Sequence, residues 1–209
     1  MQEAFPHVFV DIANRVVELE GVVPILVDDP DAGPVVYLEL IACIPDTKEH
    51  EVLVMTQALP SHVHAALLMI DLEPGAPGAW EWRNGELIAH PPTGDPVRVE
   101  LVYTDARGRE RVEPAWSWVS NLETGETFPA GDWVFAGSRI VEHMGREFYD
   151  ADGTGTLIGL TTFGSETIAW PEMISHEAAI EEPVWIADPE KTPALDTPVT
   201  IRLTPGGRD

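Results

Sequence analysis

A single stretch of helical periodicity stands among short extended runs, and it constrains the fold more than any other feature. Its apolar residues recur at spacings of three and four, between Pro60-Ser61 at the start and Pro74-Gly75 beyond the end. The apolar stripe consists of Leu59, Val63, Ala66, Leu67 and Ile70. The pattern predicts one packed α-helix over about residues 61–71, with Ser61 as its N-cap.

Elsewhere, short apolar runs alternate with Gly, Pro, Asn and Asp, which is typical of strands and turns. Residues 7–12 with 15–20, and 97–104 with 110–112, predict two hairpins, and Asn84-Gly85 fits a tight hairpin or an extended loop. We therefore expect a mainly β (α+β) fold: an antiparallel sheet in a sandwich or barrel-like arrangement, with one packed helix. No linker divides residues 1–209, so we expect one domain, with the Pro-rich segment 168–198 wrapping its outside.

One apolar run contains an unexpected acid. Residues 35–44 are apolar on both faces except at Glu39, and Pro45-Asp46-Thr47 turns the chain before the apolar run 51–56. If the two runs form a hairpin, Cys43 and His50 meet across the turn with Glu39 nearby, an arrangement that suits a thiol catalyst. The alternative is that Cys43 is a small buried hydrophobe and Glu39 lies at a solvated strand end.

Imidazoles and carboxylates in the same region are also compatible with a divalent metal, zinc or copper. The candidate ligands are Glu39, Glu49, His50, Glu51, His62 and His64. Residues two apart on a helix point about 200° apart, so His62 and His64 should not bind the same ion. A site would join one helix histidine to His50 and a glutamate from the neighbouring strands. The alternative is that the histidines are structural.

The acidic, Gly-rich residues 150–155 invite comparison with a calcium loop. An EF-hand loop that begins at Asp150 needs a carboxylate at its twelfth position, where Thr161 stands. We therefore expect a Gly-rich hairpin turn there instead.

Composition excludes several classes of partner and cofactor. The 12 Lys and Arg residues face 36 Asp and Glu residues, and the net charge of −24 repels phosphate backbones, so we expect no nucleic-acid partner. One cysteine cannot form an internal disulfide or bind an iron–sulfur cluster. No apolar run reaches the roughly 18 residues of a membrane span. The first six residues lack the basic and apolar regions of a signal peptide.

Tryptophan is frequent, with 7 residues in the chain. Trp80 with Trp82, and Trp116 with Trp118, would share a face if the chain were extended at these positions. Exposed pairs of this kind stack on sugars or anchor a protein partner, so a glycan- or cell-wall-binding module is one hypothesis. Burial over the sheet is the alternative.

Several short motifs are distributed along the chain: Leu38-Glu39-Leu40, Cys43, Lys48-Glu49-His50-Glu51, Pro60-Ser61-His62-Val63-His64-Ala65-Ala66-Leu67-Leu68, Glu73-Pro74-Gly75, Trp133-Val134-Phe135-Ala136-Gly137-Ser138, Tyr149-Asp150-Ala151-Asp152 and Thr197-Pro198-Val199-Thr200. Together they resemble the YdjY-type domain, a family found largely in secreted proteins of planctomycetes and some other bacteria. The resemblance covers nearly the whole chain and implies a periplasmic or secreted domain without an established activity. Some members have been labelled ferredoxin-like, which a chain with one cysteine does not support.

These observations favour an exported, non-catalytic binding or accessory domain with a protein or glycan partner outside the cytoplasm. The competing hypothesis is a metal-binding or thiol-dependent enzyme with a site around Cys43, His50 and His64. Both hypotheses require that the candidate residues on the strands and on the helix converge.

Overall fold

The computed structural model describes residues 1–25, 36–177 and 180–207. Its strands are β1 (Gln2–Phe5), β2 (Val8–Asp11), β3 (Val16–Val22), β4 (Leu40–Cys43), β5 (Val52–Thr56), β6 (Pro74–Ala76), β7 (Ala79–Arg83), β8 (Glu86–His90), β9 (Thr93–Gly94), β10 (Pro96–Thr104), β11 (Glu110–Pro114), β12 (Val119–Asn121), β13 (Trp133–Val134), β14 (Ile140–His143), β15 (Arg146–Tyr149), β16 (Thr156–Gly159), β17 (Trp185–Ala187) and β18 (Pro198–Pro205). The α-helices are α1 (Pro60–Met69) and α2 (Asp150–Thr154), and two 3₁₀ helices span Glu49–Glu51 and Ala115–Trp118.

One large mixed sheet dominates the molecule, which confirms the mainly β prediction. Its strand order is β11-β10-β18-β3-β5-β4-β16, with β1, β2 and β13 attached beside this path. The two ends of the path, β11 and β16, do not pair in the described part of the chain. Of the two predicted arrangements, the sheet is therefore sandwich-like and not a closed barrel. Both predicted hairpins form, β2 with β3 and β10 with β11, and β7 pairs with β8 across Asn84-Gly85.

The pairing of β4 with β5 differs from the predicted hairpin. The two strands are parallel, with Leu40 opposite Val52 and Cys43 opposite Met55. Residues 44–51 therefore carry the chain back past the full length of β4 before β5 begins. The hairpin prediction was based on the short turn at 45–47. A turn alone does not decide whether the next strand pairs parallel or antiparallel to the strand before it. Residue 35, the first of the predicted strand, lies outside the described residues.

Helix α1 forms where the periodicity predicts it and packs against β2 and β3. Val63, Ala66 and Leu67 are buried, whereas Leu59, which we placed in the stripe, is 39% exposed at the N-cap position. The predicted cap at Ser61 is wrong, because the helix begins at Pro60 and Leu59 occupies the N-cap position. The Ser61 amide lies inside the first turn and donates to Asp152 Oδ1 at 2.8 Å.

The carboxylate that caps α1 belongs to α2, a helix formed by residues predicted to be a turn. Gly155 ends α2 with φ of 78°, a left-handed conformation that glycine adopts without strain. A carboxylate at the start of a helix accepts a free amide and opposes the helix dipole. The acidic motif therefore stabilises α1, and the Asp152 carboxylate is bound to the Ser61 amide.

The main hydrophobic cluster includes residues from Val8 to Leu203, and a smaller second cluster consists of Leu40, Cys43 and Val52. Trp118, Trp133, Phe128 and Phe135 are the bulkiest fully buried side chains of the main cluster. The segment 168–198 contributes to it, since Ile168, Trp170 and Ala187 are buried and β17 pairs with β12, so it does more than wrap the outside. Residues 178–179 of that segment lie outside the described part. Within the described residues, no helix is long and apolar enough to cross a membrane.

Candidate functional site

The backbone of Glu39 lies where three segments of the chain meet. Its amide donates to Glu51 O at 2.9 Å, and its carbonyl accepts the amides of Leu160 and Thr161, each at 3.0 Å. The first of these bonds extends the parallel register of β4 and β5. It places Glu51 beside Glu39, although the two residues are twelve positions apart in the sequence.

Lys48 joins the two carboxylates. Its Nζ lies 2.8 Å from Glu39 Oε2 and 3.7 Å from Glu51 Oε2. The same ammonium lies 4.4 Å from the centroid of the Phe163 ring. The side chains of Lys48, Glu39 and Glu51 are 29%, 20% and 33% exposed, so the interaction is screened less than a surface ion pair.

The environment of Glu51 raises the pKa of its carboxyl above the ordinary value. Partial burial contributes most, followed by the hydrogen bond and the negative charge of Glu39, and the charges of Lys48 and His50 oppose the shift. Two carboxylates held side by side resist simultaneous ionisation. Glu51 therefore keeps its proton to a higher pH than an isolated glutamate does.

A cleft with a volume of about 200 Å³ opens beside this pair. We call it the acidic cleft; its lining includes Tyr37, Glu39, Glu51, His176, Glu181, Glu182 and Trp185. The residues just before β4 lie beside β17 at this cleft, because the amide of Leu38 donates to Trp185 O at 2.9 Å. His176 is fixed by its Nδ1, 2.9 Å from Thr162 O, and by stacking on Phe163 at 4.5 Å between centroids.

A buried carboxylate shapes the loop that carries Phe163. Glu166 is fully buried and accepts the amides of Phe163 and Gly164. Burial raises the pKa of its carboxyl, and these backbone hydrogen bonds oppose the shift. Glu166 thus holds the loop that carries Phe163. The Phe163 ring contacts both the Lys48 ammonium and the His176 imidazole.

Cys43 does not lie with His50. The Cys43 thiol is fully buried with Leu40 and Val52, and burial raises its pKa to about 11. The His50 side chain is 75% exposed, and its Nε2 lies 3.7 Å from Glu51. Parallel pairing separates them. Glu51, the residue after His50, lies beside Glu39, and Cys43 lies four residues further along the strand, roughly 13 Å away at about 3.3 Å per residue. The structural alternative for Cys43 fits this environment.

The two helix histidines point to different neighbours, as their spacing predicts. His62 stacks on Phe5 with 4.9 Å between ring centroids. His64 Nδ1 lies 3.0 Å from the hydroxyl of Tyr149, which lies 3.1 Å from Thr167 Oγ1. Burial lowers the pKa of His64, so the neutral imidazole is favoured. Both residues therefore pack against side chains around α1, and neither contacts Glu39 or Glu51.

The metal hypothesis gains no site from this arrangement. The Glu49 carboxylate accepts the amide of Asp46 in the turn after β4. Among the described residues, no group of three or more His, Cys, Asp or Glu side chains is placed to hold a metal ion. Of the six candidate ligands, Glu39 and Glu51 lie side by side and His50 contacts Glu51 alone, whereas Glu49, His62 and His64 have other partners.

The two tryptophan pairs differ in whether they share a face, as predicted for an extended chain. Trp80 and Trp82 lie on one face of the extended strand β7, and Trp82 is 71% exposed. Trp116 and Trp118 lie on a 3₁₀ helix, where they do not share a face, and the Trp118 indole is buried with its Nε1 bonded to Glu113 at 2.9 Å. Trp185, which lines the acidic cleft, was not among the candidates.

Comparison with known proteins agrees with the motifs. The family model described as the YdjY domain matches residues 8–204. The chain belongs to the YdjY domain family. Neither the curated proteins nor the solved structures gave a match to this YdjY domain.

Sequence reasoning found one side of the acidic cleft and missed the other. Glu39 stood out because it interrupts an apolar run, and Glu49, His50 and Glu51 stood out as candidate metal ligands. His176, Glu181 and Glu182 lie in a Pro-rich segment without periodicity, more than 120 positions from Glu51 along the chain. The paired acids Glu181-Glu182 were the available signal, but in a chain of charge −24 such pairs do not stand out.

Proposed function

We propose that this YdjY domain is a non-catalytic binding or accessory domain that acts outside the cytoplasm, with its ligand in the acidic cleft. The observation that carries the proposal is the cleft itself: a volume of about 200 Å³ beside two glutamates that share one lysine. Ligand sites are typically concave, with a few convergent polar groups and shifted pKa values. The secreted character of related proteins supports the extracytoplasmic part.

The chemistry of the candidate residues favours binding over catalysis. A thiol catalyst needs an accessible thiolate, and the raised pKa and complete burial of Cys43 oppose one. The Glu39 and Glu51 carboxylates are joined to Lys48, which suits recognition of a partner more than proton transfer to it.

Fluorine NMR on protein labelled with fluorotryptophan tests the site. The 7 tryptophans give one resonance each, assigned by single Trp→Phe variants, and Trp185 reports on the acidic cleft. We expect a panel of small cationic, neutral and anionic compounds, extended with soluble cell-wall fragments, to contain a compound that shifts Trp185 saturably.

Two results would contradict the proposal. If no compound moves Trp185, the cleft is not a ligand site. If glycans shift only the exposed Trp82, the ligand surface lies on the β7–β8 hairpin and the glycan hypothesis replaces the cleft. Fractionation of the natural host, with detection of the native protein, tests the location separately.

A further inference from the structure

The acidic cleft has the charge of a cation site. Four of its lining residues are glutamates, and none of its described lining residues is Lys or Arg. Lys48, which neutralises part of the Glu39 and Glu51 charge from the side, is 29% exposed. One oxygen of Glu181 accepts the Ser175 amide at 2.9 Å, and Glu182 is exposed. A net negative field therefore remains in the cleft after the internal ion pairs are formed.

Aromatic side chains form part of the same cleft. Tyr37 is 36% exposed and forms an isolated antiparallel bridge with Ile186, the residue after Trp185. Rings attract the diffuse charge of ammonium and guanidinium groups, whereas small metal ions require several oxygen, nitrogen or sulfur ligands at bonding distance. The described residues offer no such metal-ligand group. The walls therefore favour an organic cation.

Lys48 shows the same chemistry within the molecule, using two of the carboxylates that line the cleft. Its ammonium is bound next to the cleft by two carboxylates and by the face of Phe163, at 4.4 Å from the ring centroid. The cleft lining likewise combines carboxylates, Glu181 and Glu182, with the aromatic residues Tyr37 and Trp185. The chain thus already recognises one alkylammonium group by this chemistry at the cleft's edge.

The volume limits the size of the ligand. A cleft of about 200 Å³ is smaller than the roughly 300–1,000 Å³ of sites for drug-sized molecules. We infer that the acidic cleft binds one organic cation of side-chain size, an alkylammonium or guanidinium group. This inference rests on the proposed function, since it names the ligand class for the same site.

Matched probes of different charge test the inference. The labelled protein is titrated with butylammonium, 1-butanol and butyrate, which share an alkyl chain and differ in charge. We expect butylammonium to shift the Trp185 resonance saturably and the other two to leave it unchanged. Added salt should weaken the response, because it screens the carboxylates.

Two double variants supply the matched control. Glu181→Gln with Glu182→Gln should raise the Kd for butylammonium about fivefold, as expected for two partly screened charges. The glutamine at 181 keeps a carbonyl oxygen for the Ser175 amide. Glu123→Gln with Glu190→Gln changes the net charge equally at exposed positions outside the cleft, and should leave the Kd within about twofold.

The outcomes separate this inference from the proposed function. If butanol or butyrate saturates the Trp185 shift as well as butylammonium does, the cleft binds a ligand but the cation class is wrong. An equal loss of affinity in both double variants would also overturn it, since the effect would be one of net charge. Silence at Trp185 toward every compound would overturn both.

Two further probes distinguish the sources of such a cation. Cadaverine represents a free diamine, and acetyl-lysine methylamide represents a lysine side chain in a peptide. Tighter binding of the lysine derivative identifies a protein or peptide partner, and tighter binding of cadaverine identifies a free amine. Failure of both to compete with butylammonium would refute a shared cation site.

Discussion

Replacement of Lys48 by methionine removes the cation between Glu39 and Glu51 and keeps most of the aliphatic stem. Exposed ion pairs contribute about 0.2–1 kcal/mol, and loss of one partner from a fully buried pair costs about 3–5 kcal/mol. The three side chains are 20–33% exposed, so this ion pair lies between the fully exposed and the fully buried case. We expect Lys48→Met to lower the free energy of unfolding by about 1–2 kcal/mol at about pH 7, where both glutamates are ionised in the unfolded chain.

The loss should depend on pH in a defined direction. Lys48 holds down the pKa of Glu51, so its removal raises that pKa further above the ordinary value of 4.5. A carboxyl with a raised pKa in the folded state costs no stability below its unfolded pKa. The cost grows as pH rises from the unfolded to the folded pKa and is complete above the folded pKa. The difference between wild type and variant should therefore shrink toward about pH 4.

Urea unfolding followed by tryptophan fluorescence measures this difference at both pH values. The chain has only 2 lysines, and Lys191→Met is the matched control. Lys191 is 40% exposed and lies 3.5 Å from Asp188, so its replacement should cost less than about 0.5 kcal/mol. Equal losses for the two variants, or a Lys48→Met loss that does not change with pH, would refute the role assigned to Lys48.

Three further predictions concern the surroundings of the cleft and helix α1. Because the pKa of Cys43 is about 11, Ellman's reagent should react with it at about pH 8 only after unfolding, and rapid reaction of the native protein would contradict this. Asp152→Ala should lower stability by about 1 kcal/mol in thermal melts and Asp152→Asn by much less, since asparagine also caps helices; equal losses would argue against the cap. Tyr149→Phe should cost about 1–2 kcal/mol by removing the hydroxyl between His64 and Thr167, and the His64 ring proton should titrate below 6.5 in the wild type.

The class of the fold could be predicted from the sequence because it depends on local patterns. Helix α1, the β2–β3 and β10–β11 hairpins and the turn at Asn84-Gly85 each combine a periodicity with a local turn or end signal. Such signals act over a few residues. The expected single helix and β-rich sheet follow from them directly.

Strand order could not be predicted in the same way. The β4–β5 pair required a choice between an antiparallel hairpin and a parallel return, and both fit the apolar runs and the turn at Pro45-Asp46-Thr47. The choice decides which candidates meet: a hairpin would bring Cys43 toward His50, and the parallel register brings Glu39 to Glu51. Sheet register over tens of residues is set by the packing of the whole core.

Only part of the candidate site could be predicted, because local patterns do not show which distant residues meet. Glu39 stood out as an acid in an apolar run. The structure gives it partners that no local pattern names, Lys48 at its carboxylate and the backbone amides of residues 160–161 at its carbonyl. Phe163 and His176 complete the surroundings of Lys48 from a distant part of the chain. The helix histidines drew attention by their chemistry, yet His64 is engaged with Tyr149 in the packing of α1.

The acidic site that Glu39 and Glu51 share is tested most directly by a carboxyl NMR titration of Glu51. Selective labelling of glutamate side-chain carboxyls and a Glu51→Gln variant identify its resonance. We expect a midpoint above 4.5 in the wild type and a lower midpoint in Glu39→Gln, where the neighbouring negative charge is gone. A Glu51 midpoint at the ordinary value, unchanged by Glu39→Gln, would mean that the two carboxylates do not share a site and would contradict the account.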